Sequence, residues 1–464
     1  MTDLLRKAYN ACDPQRPAEV GQYYDCSHAR GQNPFVQRAV TCLEMEDHHA
    51  RFLFTGHQGC GKSSELEALR ARLADTPIAG SRYCPVVVRA GEYLDPYDTD
   101  TIDILLAIVT ELAATLREQF TIELKEGYFA KRFREIKELL LSDVELEKGE
   151  IPLVGAKLQF KRLRRDPQNR LRVRQAMEPH SSTILDEINL VLLEGKNELS
   201  KHSGRAGKGR VRDFVIILDD LEKIRRFGQK SEGPESQREL FLERSTQLTS
   251  LHAHVVYTVP LFVARDSGVQ LQLVYGNAPF VLPMVKVFHR GKPRDRFEDG
   301  CNCLKDLLSK RLAPQSANDV FALDALDFLV DCCGGHIRQL LQFVREAITY
   351  ARASRIEPPL PLPVAEQAIR QTVATYSTMI PESHWPKLLA LDASADQRIP
   401  PGDAEYLDML EKLSVPEYVN GGNGSFEPWY AVHPIVRRLE RFQPAPKAAP
   451  ERKRQPKPKK SKRK

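Results

Sequence analysis

Between Arg51 and Leu66 the chain reads RFLFTGHQGCGKSSEL, and no other stretch of its 464 residues restricts the fold as strongly. Arg51 to Thr55 is a short apolar run of strand type, and Leu66, Leu69 and Leu73 follow at helical spacing. Between them Gly56, Gly61, Lys62 and Ser63 fill the pattern GxxxxGK(S/T). A loop that folds its backbone N–H groups inward around a polyphosphate leaves no room for side chains at the closest approach, which accounts for Gly56, Gly59 and Gly61. The pattern assigns Lys62 to the terminal phosphates and the Ser63 hydroxyl to Mg2+, and the dipole of the helix that begins here favours the anion. Cys60 and Ser64 complete the stretch expected to bind ATP. A strand, loop and helix in this order imply an α/β fold: a P-loop NTPase with a parallel sheet flanked by helices.

A second strand supplies the acids that such a site needs. Phe214 to Leu218 (FVIIL) is fully apolar, as a central strand covered on both faces would be, and it ends in Asp219, Asp220, Leu221 and Glu222. Carboxylates there serve Mg2+, through Asp219, and the attacking water, through Asp220 or Glu222. Hydrolysis is therefore an expectation. Another buried-type strand, His254 to Val259, carries Thr258 near its end, either as a sensor of the terminal phosphate or as an ordinary strand residue. Val86 to Arg89 reads as a further strand, and Leu282 to Phe288, with PMVKVF at its centre, as the last one.

The remainder divides by composition. A helix around Phe35, Val36, Ala39, Val40 and Leu43 precedes the loop; its Arg38 stands where an adenine contact is expected, or the helix simply packs. The long interval between Lys62 and Asp219 exceeds what one or two strand-helix units need, so 119–211 is predicted to be a mostly helical insertion. Within it lie Ile184, Ile188 and Leu192 at helical spacing and the basic run KRLRRDPQNRLRVR (161–174), read as a solvated face or as a contact for phosphate or an acidic partner. The predicted domains are a core over 1–290, an all-helical lid over 291–355, a winged-helix-like unit over 356–442 and a disordered polybasic tail over 443–464. The lid contains Gly334-Gly335, a C-cap signal. The last unit shows three helical stretches and then EYVNGGNGSFEPWYAV, two short strands around a glycine-rich turn.

The net charge of +6 conceals an asymmetry: from Gln443 to Lys464 the tail carries +9, leaving −3 on everything before it. The tail is thus the expected contact for nucleic acid or another polyanion. The nine cysteines show no zinc-site spacing and read as reduced thiols. No apolar run approaches the length of a membrane span, and the N-terminus lacks a secretion signal, so the cytosol is the expected compartment.

The loop GHQGCGKSSEL, the strand VIILDDLEKI, the strand VVYTVP and the motif GGHIRQLL resemble the AAA+/STAND group of ATPases, including its KAP-like branch and the origin-recognition initiators. The resemblance spans roughly 30–440. It implies Lys62 and Ser63 on phosphates and Mg2+, Asp219 on Mg2+, Thr258 as first sensor and Arg338, in the lid, as second. Asp220 stands where active members usually carry Glu, which implies slow turnover. Arg244 and Arg265 lie in regions plausible for an arginine finger. The leading expectation is an ATP-binding, slowly hydrolysing switch that self-associates in its ATP state and contacts a protein partner through the winged helix. Two alternatives stand beside it: a DNA-binding initiator or loader using winged helix and tail, and a nonhydrolysing scaffold stabilised by nucleotide. The absence of Lys and Arg between Val415 and Val432 weighs against phosphate contact by the wing.

Overall fold

The computed structural model describes residues 2–442, apart from a few single positions and short gaps and the longer stretches 124–180 (where only 168, 171 and 175 are described), 204–210 and 225–236. The polybasic tail, the charged loop near 226–235 and nearly all of the basic run 161–174 lie outside the described residues.

Five strands build one parallel sheet: β1 (Arg51–Gly56), β2 (Arg82–Arg89), β3 (Val211–Asp219), β4 (His254–Thr258) and β5 (Phe280–Leu282), in the spatial order β2-β3-β4-β1-β5. The period-two alternation of β3 divides its side chains between two cores. Val215 and Ile217 face one side with Val256 of β4, while Phe214, Ile216 and Leu218 face the other with Val255 and Tyr257. Helices cover both sides, which is why FVIIL contains no polar residue. On the first side lie α2 (Phe35–Met45) and α3 (Lys62–Asp75), the latter burying Leu66, Leu69 and Leu73, while α1 (Thr2–Ala11) packs on the helices of the C-terminal half. On the second lie α4 (Thr101–Phe120), whose N-terminus is capped by Asp100, and α5 (Ser181–Ser203). The described part of the predicted insertion is therefore a covering layer of the core: Ile188 and Leu192 of α5 are buried in the cluster that holds α4 and β3.

Two strand boundaries depart from expectation. β2 begins at Arg82, not at Val86, and runs through Pro85, which an edge strand tolerates. The last strand ends at Leu282, not at Phe288, because its partner β1 ends at Gly56, opposite Leu282, and the chain turns away at Pro283. PMVKVF leaves the sheet and bonds elsewhere: Met284 donates to Glu417 O and Lys286 to Ala29 O. This departing segment lies between the sheet and the C-terminal half of the chain.

After the short helix α6 (Leu261–Asp266), which leaves β4, the lid comprises α7 (Glu298–Leu312), α8 (Leu323–Cys333) and α9 (Ile337–Ala353). Gly334 ends α8 in the left-handed region (φ 57°), as the sequence predicts. Gly335 (φ 81°) follows so close to the departing segment that a Cβ would stand 1.7 Å from Val285 O. Next come α10 (Leu362–Met379), packed on α8 and α9, α11 (Trp385–Ala393) and α12 (Ala404–Glu411). The antiparallel wing β6 (Glu417–Gly422) and β7 (Ser425–Tyr430) follows. Tyr418 and Trp429 stack across the wing at 4.6 Å and are fully buried, so one face of this hairpin is core. Lid, wing and the α3 side of the sheet share a single apolar cluster. No helix among the described residues is long and apolar enough to cross a membrane.

Candidate nucleotide site

The loop from Gly56 to Ser63 stands at the C-terminal end of β1, and the acid turn Asp219–Glu222 at that of β3, with β4 between them. Such a crevice at the carboxyl ends of parallel strands is where ligands of open α/β sheets bind. Gly56, Gly59 and Gly61 adopt φ of 153°, 85° and 113°. A Cβ on Gly59 would fall 2.7 Å from Arg338 Cβ, and one on Gly56 2.6 Å from Leu282 O. A cleft of about 340 Å³ opens over the loop, bordered by the acid turn, by Pro14–Pro17, and by Ile337, Arg338 and Leu341 of the lid.

Lys62 and the acids form one buried electrostatic unit. The Lys62 ammonium donates to Gly56 O (2.9 Å) and His57 O (3.1 Å) and pairs with Glu222 Oε1 (3.0 Å). Burial works against both charges, but each partner holds the other ionised: Glu222 raises the Lys62 pKa, and Lys62 keeps Glu222 below the usual carboxylate range. Glu222 Oε2 is buried with no hydrogen-bond partner among the described residues. Asp219 differs. Burial, reinforced by the charges of Glu222 and Asp220, pushes it up to about 6, against the pull of the Ser63 hydroxyl that hydrogen-bonds it. Asp220, at φ 69°, turns outward and pairs with Lys223 at 2.5 Å.

These groups fit a nucleotide polyphosphate and a divalent cation. Three glycines open the cradle, an orphaned carboxylate oxygen lies beneath it, and ligand atoms of Asp219, Asp220 and Glu222 come within 4.8 Å of one another beside Ser63.

Other residues named from the sequence are distributed unevenly. Arg338 borders the cleft, and its backbone N–H donates to Gly59 O. Thr258 is fully buried under the acid turn, its hydroxyl donating to Leu218 O and accepting from Leu221 N–H, so it braces the turn and does not line the cleft. Cys60 turns its side chain into the core, and Ser64 Oγ accepts from Ala18 N–H, tying the N-terminal segment to α3. Arg38 lies exposed over the Phe280 ring, outside the cleft. Neither Arg244 nor Arg265 borders the cleft; Arg265 makes a two-pronged ion pair with the fully buried Glu417 of the wing.

The outer side of the loop holds what sequence reasoning missed. His57 accepts at Nε2 from Glu417 N–H (2.8 Å), so Nδ1 carries the proton and donates to Leu410 O (3.0 Å). His336 accepts at Nδ1 from Gln339 N–H and donates from Nε2 to Gln58 O (2.6 Å). Burial lowers His57 to about 3 and His336 to about 4, keeping both rings neutral. Arg30, also buried, bonds Cys60 O at 2.6 Å and Pro283 O. The sequence signal for His57 and His336 is faint: one sits inside the glycine-rich loop and the other inside GGHIRQLL. For Arg30 there is none.

No protein-family model matches the chain, and no curated protein does. Among solved structures the chain is similar to the Orc1 protein of Aeropyrum pernix in complex with DNA, at 13% identity over 92% of this chain and 93% of that one, with a TM-score of 0.39. It is similar to a Walker-type ATPase of Pyrococcus abyssi at 13% identity over 92% and 98%, TM-score 0.41. It is also similar to the ORC2 protein of Aeropyrum pernix in ADPNP and ADP complexes, at 13% over 94% and 96%, TM-score 0.40. At this level of likeness the reading of the site rests on its own geometry.

Proposed function

We propose that this chain is an ATP-binding switch that hydrolyses ATP slowly and passes its nucleotide state through lid and winged helix to a partner. One observation carries the reading: consecutive residues of the phosphate loop are bonded directly to both modules. His57 bonds the wing and the helix before it, Gln58 O bonds His336 of the lid, and Gly59 O bonds Arg338 N–H of the lid. A loop that shifts on binding phosphate therefore acts on the lid and on the wing without intermediaries.

In this reading Lys62 exchanges Gly56 O, His57 O and Glu222 for phosphate oxygens. Ser63 and Asp219 hold Mg2+, which when bound supplies positive charge to neutralise the phosphates. With its pKa raised to about 6, Asp219 is largely ionised at neutral pH, and cation binding is linked to loss of its proton as pH falls toward that value. Glu222, released from Lys62, becomes the group that orients the attacking water; Asp220, paired with Lys223, is the less direct candidate. Both carboxylates are engaged before nucleotide enters, and a base that must first be freed is consistent with slow turnover. Arg338 reaches the phosphates from the lid. Self-association in the ATP state belongs to the same proposal, as does a protein partner at the wing.

The test combines turnover with a wing readout. Purified protein is assayed for ATP hydrolysis beside Lys62→Ala, with and without duplex DNA, while limited proteolysis reports wing protection with ADP and with ATP. Lys62-dependent turnover indifferent to DNA, with protection that differs between the nucleotides, supports the switch. Equal protection in every state sinks the coupling. Stimulation by DNA transfers the lead to a DNA-directed ATPase.

A further inference from the structure

Arg30 is a buried cation that the nucleotide chemistry above leaves without a role. It closes a short helical turn, Ser27–Arg30, and only 2% of it is exposed. Placing a guanidinium there carries a desolvation penalty, so its contacts call for an explanation. Two of its nitrogens reach backbone carbonyls, Cys60 O in the phosphate loop and Pro283 O where the chain leaves the sheet. The Arg30 charge acts on Glu65, but the hydrogen bond to the Glu65 carboxylate comes from the Tyr23 hydroxyl.

The consequence follows from peptide geometry. In a planar trans peptide the C=O and the next N–H point in opposite directions. Arg30 holds Cys60 O on the outer side of the loop, which turns the Gly61 N–H to the inner side. That N–H takes no acceptor among the described residues. Gly61 needs its φ of 113° to hold this orientation, and Arg30 Nη2 stands 3.5 Å from where a Cβ on Gly61 would be. The next peptide but one follows the same logic: His336 holds Gln58 O outward, and the Gly59 N–H is likewise without an acceptor among the described residues, whereas the Cys60 N–H between them donates to His57 O.

We infer that Arg30 is a positioning residue for the anion cradle: by pinning the Cys60 carbonyl outward it presents the Gly61 N–H to a phosphate of a nucleoside di- or triphosphate. The inference rests on the nucleotide reading above and adds to it the group that sets the loop before ligand arrives. A fork matters here more than a charge, because one side chain must reach two carbonyls at fixed directions.

The test measures ADP and AMP affinities by calorimetry for wild type, Lys62→Ala and Arg30→Lys. Lysine keeps the charge but not the fork. The expected result is an ADP-to-AMP affinity ratio lowered about tenfold in Arg30→Lys, with AMP affinity nearly unchanged, since a charge-assisted backbone contact of this kind discriminates by about that factor. General loosening of the fold lowers both affinities alike and leaves the ratio intact, and an intact ratio overturns the inference while Lys62-dependent ADP binding still stands. If Lys62→Ala binds ADP as tightly as wild type, the nucleotide reading itself falls. The wild-type structure with ADP decides the matter without any variant. Gly61 N on a phosphate oxygen with Arg30 still on Cys60 O supports the assignment, and a Cys60 carbonyl turned into the cleft overturns it.

Discussion

Two buried cation–carboxylate pairs lie on either side of His57, and they are built for opposite purposes. Lys62 pairs with Glu222 at one contact and spends its other donors on loop carbonyls, and Glu222 Oε2 has no hydrogen-bond partner among the described residues. Arg265 grips Glu417 with two nitrogens, and Glu417 is fully buried, its N–H on His57 and its C=O on Met284 N–H. A point charge on a flexible stem exchanges partners easily, whereas a planar fork matched to a carboxylate holds its geometry. In the proposed switch the first pair is displaced and the second anchors the wing, with His57 placed where that displacement would reach the anchor.

Four substitutions break or sharpen this contrast. The largest effect is expected from Arg265→Ala, which leaves Glu417 buried and unpaired; denaturant unfolding should show a loss of about 3–5 kcal/mol. A wing that stays docked with no change in midpoint would mean that the fork anchors nothing. Lys62→Ala should weaken ATP binding on the order of a hundredfold, about 3 kcal/mol by calorimetry, because charge-assisted contacts to phosphate are lost. The mirror experiment is Glu222→Gln. Freeing Lys62 from its ion pair should tighten ATP binding by roughly fivefold, about 1 kcal/mol, while turnover falls; undiminished turnover would assign the attacking water to Asp220 instead.

The mildest test is pH. His57 has a folded-state pKa of about 3, depressed below its unfolded value, so the stability tied to its neutral form is full above about pH 6.5 and is lost as pH falls below it. Between pH 7 and 6 the loss attributable to this one ring is about 0.7 kcal/mol. His57→Gln should flatten the dependence of Tm on pH by that increment, and parallel curves would show that the ring is not held neutral.

The inner side of the site was open to sequence reading and the outer side was not, for a physical reason. Phosphate chemistry demands particular residue types at fixed spacing within one loop and one turn, so Gly56, Gly59, Gly61, Lys62, Ser63, Asp219 and Glu222 announce themselves. The sheet was legible for a similar reason, since a strand covered on both faces must be apolar throughout. Arg30 and His336 act on backbone carbonyls of residues remote in the chain, and Glu417 on the side chains of Arg265 and His57; any polar residue looks the same in sequence whether or not it finds such a partner. Thr258 could be read from the sequence either as a sensor or as an ordinary strand residue; its hydroxyl serves Leu218 and Leu221. PMVKVF has the hydropathy of a strand, but its neighbour β1 ends at Gly56, so no ladder continues past Leu282.

The bond from Glu417 N–H to His57 spans 360 residues. During synthesis at about 5–20 residues per second, the loop emerges roughly 20–70 s before the wing that holds its histidine. Through that interval the nascent chain has the residues of a phosphate site without the contacts that set its state. If the proposed switch holds, a nucleotide captured early would meet a loop not yet bonded to the wing, and the order of assembly on the ribosome becomes a variable in how the finished molecule is first loaded.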